Sequence, residues 1–152
     1  MLLCLAQDPD NELMWAHYCS SYKGMVIGIE TDLVPILNNG KKFKVIYNSR
    51  PPKIKFKYDM RPNEQVSWDM IRTKNKIWSY EREIRYIFDK RGYNKDSYTV
   101  GNVDFIKIPN NAIRGVHFSP LASELNVKTA INLLGTDRVL KRGSNQFSYG
   151  LT

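Results

Sequence analysis

A chain of 152 residues, 42% apolar and 25% charged, has the size of about one domain and enough apolar material for a real core. No apolar run approaches the roughly 20 residues that span a bilayer, which argues against a helical membrane protein. The formal net charge is +8, and residues 41–95 hold sixteen Lys or Arg against six Asp or Glu, so an anionic partner such as nucleic acid or a nucleotide is one expectation.

Met1-Leu2-Leu3-Cys4-Leu5-Ala6 lacks the basic start and longer apolar core of a secretory signal. Cys4 and Cys19 show no CxxC spacing, which predicts free thiols in a reducing compartment, with the cytoplasm as the expected location. With only His17 and His117 beside them, far apart in the chain, no metal site is expected.

In chain order, Leu2–Ala6 reads as a strand paired on both edges and covered on both faces, because it is apolar throughout. Asp8-Pro9-Asp10-Asn11 is turn chemistry, with Asp10 or Asn11 capping a helix from about Glu12 to Cys19. Gly24 closes that unit and is predicted to take a positive φ. Met25–Glu30, apolar on both faces, reads as a central strand. Leu33–Leu37 suits a helical turn or two, and Phe43–Tyr47 a third strand.

Lys53–Tyr58 alternates basic and apolar residues, as an edge strand or an extended loop does. From Pro62 the spacing turns helical, with Val66, Met70, Lys74 and Ile77 about one turn apart. Arg91–Asp96 is a loop, and Val103–Ile108 and Ile113–Phe118 are strands. An amphipathic helix over Leu121–Leu134 stops at Gly135, and short strands at Arg138–Lys141 and Gln146–Tyr149 finish the chain. The expected fold is one α+β domain with a mixed, mostly antiparallel sheet and about three helices.

The densest chemistry lies in Ile77–Phe88. Read as a strand, it puts Glu81, Glu83 and Arg85 on one face; read as a helix, it makes Glu81 and Arg85 an i,i+4 pair. The β-prone run Ile84-Arg85-Tyr86-Ile87-Phe88 favours helix to about Lys76 and strand from about Glu83, with Trp78 buried between them. Either way a carboxylate sits near Arg85, as a structural ion pair or as a group held for chemistry. His17 is a candidate general base or a helix histidine bonded locally. Trp15, Trp68 and Trp78 are candidates for stacking on bases or for the core. No Walker or dinucleotide glycine loop and no GxSxG elbow occurs.

Leu13-Met14-Trp15-Ala16-His17-Tyr18, followed by Tyr22-Lys23-Gly24, resembles the LMWSHYA and HKG signature of the bacterial domain-of-unknown-function family 2971. Trp78-Ser79-Tyr80-Glu81-Arg82-Glu83-Ile84-Arg85 is similar to the same family's W-x-Y-E-x-E-x-R block, and Ile113–Pro120 to its later strand. The resemblance runs nearly end to end. It implies a bacterial protein, some relatives being linked to phage defence, and a fold with suspected kinship to ADP-ribosyltransferases.

On that resemblance NAD is the expected cofactor and glycosyl (ADP-ribosyl) transfer the expected reaction. Glu83, with Glu81 in reserve, would stabilise the developing sugar cation, and Arg85 would orient the carboxylate or meet a phosphate. Tyr80 or Trp15 would stack on a ring, with Tyr18 beside them in the ligand site, and His17 would bond the ribose or the base. Members usually carry a further segment before the stretch matching Leu2–Ala6. The chain therefore reads as a shortened form, with activity of this chain alone doubtful and a homodimer expected through its N-terminal strand. The alternatives are a non-catalytic basic module that binds nucleic acid or another polyanion, or an interaction protein completed by a partner subunit.

Overall fold

Leu2–Ala6 (β1) is a strand, but only its alternate side chains are covered. Leu3 and Leu5 pack against the core, whereas Leu2 is 53% exposed and Cys4 and Ala6 also face outward. The strand pairs antiparallel with Glu83–Ile87 (β6), Leu2 opposite Ile87 and Ala6 opposite Glu83. Lys41–Lys44 (β3) pairs with the other side of β6, so among the described residues β1 is an edge, not a strand covered on both sides. Its uniform apolarity misled because alternation decides burial at an edge, and small Ala6 and Cys4 carry little information about it.

The computed structural model describes residues 1–52, 64–88, 96–142 and 149–150. Asn11 caps the helix Glu12–Tyr18 (α1): its side chain accepts hydrogen bonds from the Leu13 and Met14 amides. After α1 the chain turns through three consecutive residues with positive φ, Ser20, Ser21 and Tyr22, and Gly24 is not among the positive-φ residues. Gly24 is required for space instead, since a Cβ there would lie 3.0–3.1 Å from the Cys19 backbone.

Met25–Ile29 (β2) pairs antiparallel with Ile113–Phe118 (β9), which pairs in parallel with Val139–Arg142 (β10), followed by Tyr149–Gly150 (β11). The order β11-β10-β9-β2 makes β2 an edge strand, correcting the central position its apolar composition suggested. Met25 and Ile27, on one face, stay 49% and 45% exposed.

A 3-10 turn at Thr31–Leu33 and the short helix Pro35–Asn38 (α2) follow. The expected third strand is split. Lys41–Lys44 (β3) pairs with β6, and after buried Val45 the segment Ile46–Asn48 (β4) pairs in parallel with Thr73–Asn75 (β5). The helix Glu64–Arg72 (α3) ends before Lys74, and a 3-10 helix covers Lys76–Glu81. The Asn75 side chain accepts from the Ile77 amide and starts that turn, which the spacing of Lys74 and Ile77 had disguised as continued α-helix.

Ser97–Val100 (β7) and Val103–Ile106 (β8) form a hairpin, and Glu124–Leu134 (α4) is stopped by Gly135 at φ 88°. The architecture is α+β, as expected, with mostly antiparallel strands that form four small sheets among the described residues. The basic stretch Lys53–Tyr58, and all of the Arg91–Asp96 loop but Asp96, lie outside the described residues.

Two clusters form the core. Val34, Ile36, Leu37, Tyr86, Phe88 and Ala112 make one, while Val116, Phe118, Ala122 and Val139 make the other under α4. Trp15 is fully buried, its indole N–H donating to the Pro9 carbonyl at 2.7 Å. Trp78 is only half-buried. Lying on the 3-10 turn, not between a long helix and the sheet, it packs edge-on to His17.

Candidate functional site

Three backbone devices bring the charged side chains together. Arg82, at φ 45° and ψ 48°, ends the 3-10 helix in the left-handed region and reverses the chain into β6. Glu81 and Glu83, on either side of it, are both buried at 3% and 6% exposure. The register of β1 on β6 sets Cys4 opposite Arg85 and Ala6 opposite Glu83. The parallel pairing of β4 and β5 places Tyr47 beside Lys74.

The resulting network is continuous. The Lys74 ammonium donates to Glu81 Oε2 and, at 3.3 Å, to Glu83 Oε2. Arg85 meets Glu83 in fork geometry, Nε to Oε1 at 2.8 Å and Nη2 to Oε2 at 3.1 Å, and its Nη1 donates to the Ile71 carbonyl. The Tyr18 hydroxyl, carried from α1, donates to Glu81 Oε1 at 2.8 Å. The Glu83 amide donates to the Tyr47 hydroxyl at 2.8 Å. Tyr18, Lys74, Glu81, Glu83 and Arg85, with Met14, Cys4 and Ala6, line an open cavity of about 480 Å³.

Electrostatics keep Glu83 and Lys74 charged. Burial alone would raise the Glu83 pKa, but the Arg85 guanidinium, the Cys4 thiol and the Lys74 ammonium bring it down to about 2. Burial would lower the Lys74 pKa, but its hydrogen bond to Glu81 and the charge of Glu83 leave it raised. Cys4 is an exposed residue, yet desolvation of its thiol and the adjoining Glu83 carboxylate push it up to about 11, so it is a thiol and not a thiolate nucleophile at neutral pH. The Tyr18 hydroxyl is raised by its bond to the Glu81 carboxylate.

Because the folded pKa of Glu83 lies below its unfolded value, its stabilisation is full above about pH 4.5 and is lost as pH falls through about 2. The full shift corresponds to roughly 3 kcal/mol. Urea unfolding across that window should show a loss in the unmodified protein that is smaller by this amount in Glu83→Gln. Parallel pH profiles for the two would refute a depressed carboxylate at this position.

A family model described as a protein of unknown function (DUF2971) matches residues 14–86. Over that stretch the chain is similar to the DUF2971 family. No curated protein and no solved structure gives a match. The matched segment starts at Met14 and ends one residue beyond Arg85, so it supplies the cavity's α1, β5 and β6 walls, and β1 adds Cys4 and Ala6 from outside it.

Of the residues singled out from the sequence, Glu81, Glu83, Arg85 and Tyr18 line this one cavity. His17 is exposed and forms a ring cluster with Tyr80, at 6.2 Å and stacked, and with Trp78. Tyr80 is half-buried; its carbonyl accepts from Asn11 Nδ2, and its buried hydroxyl has no hydrogen-bond partner among the described residues. Trp15 is fully buried and offers no face to a ligand, which removes it from the stacking role.

Lys74 is the cavity side chain that the sequence concealed. Its helical spacing from Met70 and Ile77 assigned it to the wrong element. A lysine between two stretches of α+β sequence carries no signal of its own until both glutamates are seen to converge on it. Cys4 and Tyr47 were equally unmarked, since only strand register brings them in.

Proposed function

We propose that this cavity binds an NAD-type sugar nucleotide and serves glycosyl transfer, with Glu83 as the carboxylate that stabilises the developing sugar cation. The observation that carries the reading is the fixed, ionised Glu83 inside a cavity of about 480 Å³, a size that suits a small molecule. A carboxylate already oriented by Arg85 needs no reorganisation as positive charge develops. Arg85 is tied both to Glu83 and to the Ile71 carbonyl, so its part is orientation. Lys74, with 26% of its side chain exposed, is the cation placed to meet a phosphate. Its ammonium lies 5.4 Å from the Trp78 ring centroid, which joins the cavity to the His17, Trp78 and Tyr80 rings, where a planar base finds a stacking surface.

The test is incubation with adenylate-labelled NAD and bacterial extract. Transfer of label or cleavage of NAD is expected, reduced by about 100-fold or more in Glu83→Gln, a typical weight for a preorganised electrostatic group. A folded, unmodified protein that neither binds nor cleaves NAD overturns the reading.

A further inference from the structure

Away from the cavity residues, the sheet that contains β2, β9 and β10 is left half-covered. Helix α4 packs over β9 and β10: Val127, Ala130, Ile131 and Leu134 close on Val116, Phe118 and Val139. In the antiparallel register Met25 stands opposite Phe118 and Ile27 opposite Val116, so both lie on the face that carries α4. They are nevertheless about half exposed. Between α4 and β2 runs a groove of about 320 Å³, floored by buried Phe118 and walled by Met25, Ala130 and Leu133, with Thr129 and Asn126 on its helical lip. Leu133 is 75% exposed there, and Leu125, two turns earlier on α4, is 72% exposed. β2 ends the order of its sheet.

We infer that this groove takes an extended peptide from a partner protein, added antiparallel to β2, with apolar side chains at alternate positions and a carboxylate at its C-terminal end. An added strand satisfies the main chain along an open sheet edge and sends every second side chain to the α4 face, into the apolar groove. An antiparallel strand brings its C-terminal end beside the start of β2, where Lys23 lines the groove and is exposed. Among the described residues no ion pair engages Lys23, whereas Glu30, beyond the far end of β2, is paired with Arg114 at 2.8 Å. The charges flanking the two ends of β2 therefore select one direction for the incoming strand. Uncharged Asn126 and Thr129 leave the helical side without a carboxylate to oppose it. This site shares no residue with the cavity at Glu83, and its test is independent of NAD.

The probe is a displayed library of random peptides with free C-termini, panned on the full chain. Enriched peptides are expected to alternate apolar and other residues and to end in a free carboxylate. The enriched peptide should lose about tenfold or more in affinity against Thr129→Trp, which fills the groove from an exposed position, and against Leu133→Glu. Amidating the peptide or replacing Lys23→Glu should weaken it several-fold, while Glu81→Gln leaves binding unchanged; circular dichroism of each variant confirms folding. Failure to enrich, or equal binding to folded Thr129→Trp and Leu133→Glu, overturns the proposal. Concentration-dependent dimerisation abolished by the same two substitutions also overturns it, by giving the face to a second copy of the chain.

Discussion

Trp15→Ala lowers the free energy of unfolding by about 3–5 kcal/mol, the largest loss expected from any single truncation in the described core. Trp15 is wholly shielded from water, and its indole N–H bonds the Pro9 carbonyl, so truncation opens a cavity and strips an acceptor of its donor. Trp78→Ala is the control. That ring is half-buried on a 3-10 turn, touching His17 and Tyr80, and its removal should cost less than half as much. Urea midpoints for the two variants decide the matter, and equal losses would mean that the helix α1 is not seated as described.

Arg85→Ala carries the second large effect. Removing the guanidinium leaves the Glu83 carboxylate at 6% exposure with Lys74, at 3.3 Å, as its one ionic partner among the described residues. Breaking a buried pair from one side costs about 3–5 kcal/mol, chiefly because the surviving charge is stranded. Adding Glu83→Gln to Arg85→Ala removes that charge, so the double variant should be more stable than Arg85→Ala alone. A double variant showing the simple sum of both single losses would mean that the two side chains are not coupled.

The contrast between these residues shows what was legible in the sequence. Strand β6 could be read from its β-prone side chains, and the clustering of Glu81, Glu83 and Arg85 follows from their spacing under either secondary structure. Helices α1 and α4 announced themselves through Asn11 and Gly135. Edge position did not. Leu2–Ala6 and Met25–Ile29 are as apolar as central strands, and what distinguishes them is which neighbours exist, a property of the whole fold. The same holds for the site. Its glutamates are local, but Lys74 reaches them only because α3 stops at Arg72, and Tyr18 only because α1 docks on the 3-10 turn. Trp15 and Trp78 could not be ranked from sequence, since both sit among aliphatic and aromatic neighbours.

The pairing of β1 with β6 also governs the order in which the molecule assembles. Leu2 finds its ladder partner at Ile87, so β1 must wait for the whole stretch up to β6 before its backbone groups on that side are satisfied. Closing so long a loop is entropically costly and slow compared with forming α1 or the β7–β8 hairpin. The wall formed by Cys4 and Ala6 is therefore among the last parts of the cavity to be completed. Until then Leu3 and Leu5 are exposed to chaperones and to neighbouring chains, and the Glu83 carboxylate lies open on one side. Ligand binding at the cavity is consequently reserved for chains that have closed this long-range contact, which makes occupancy a report on the seating of β1.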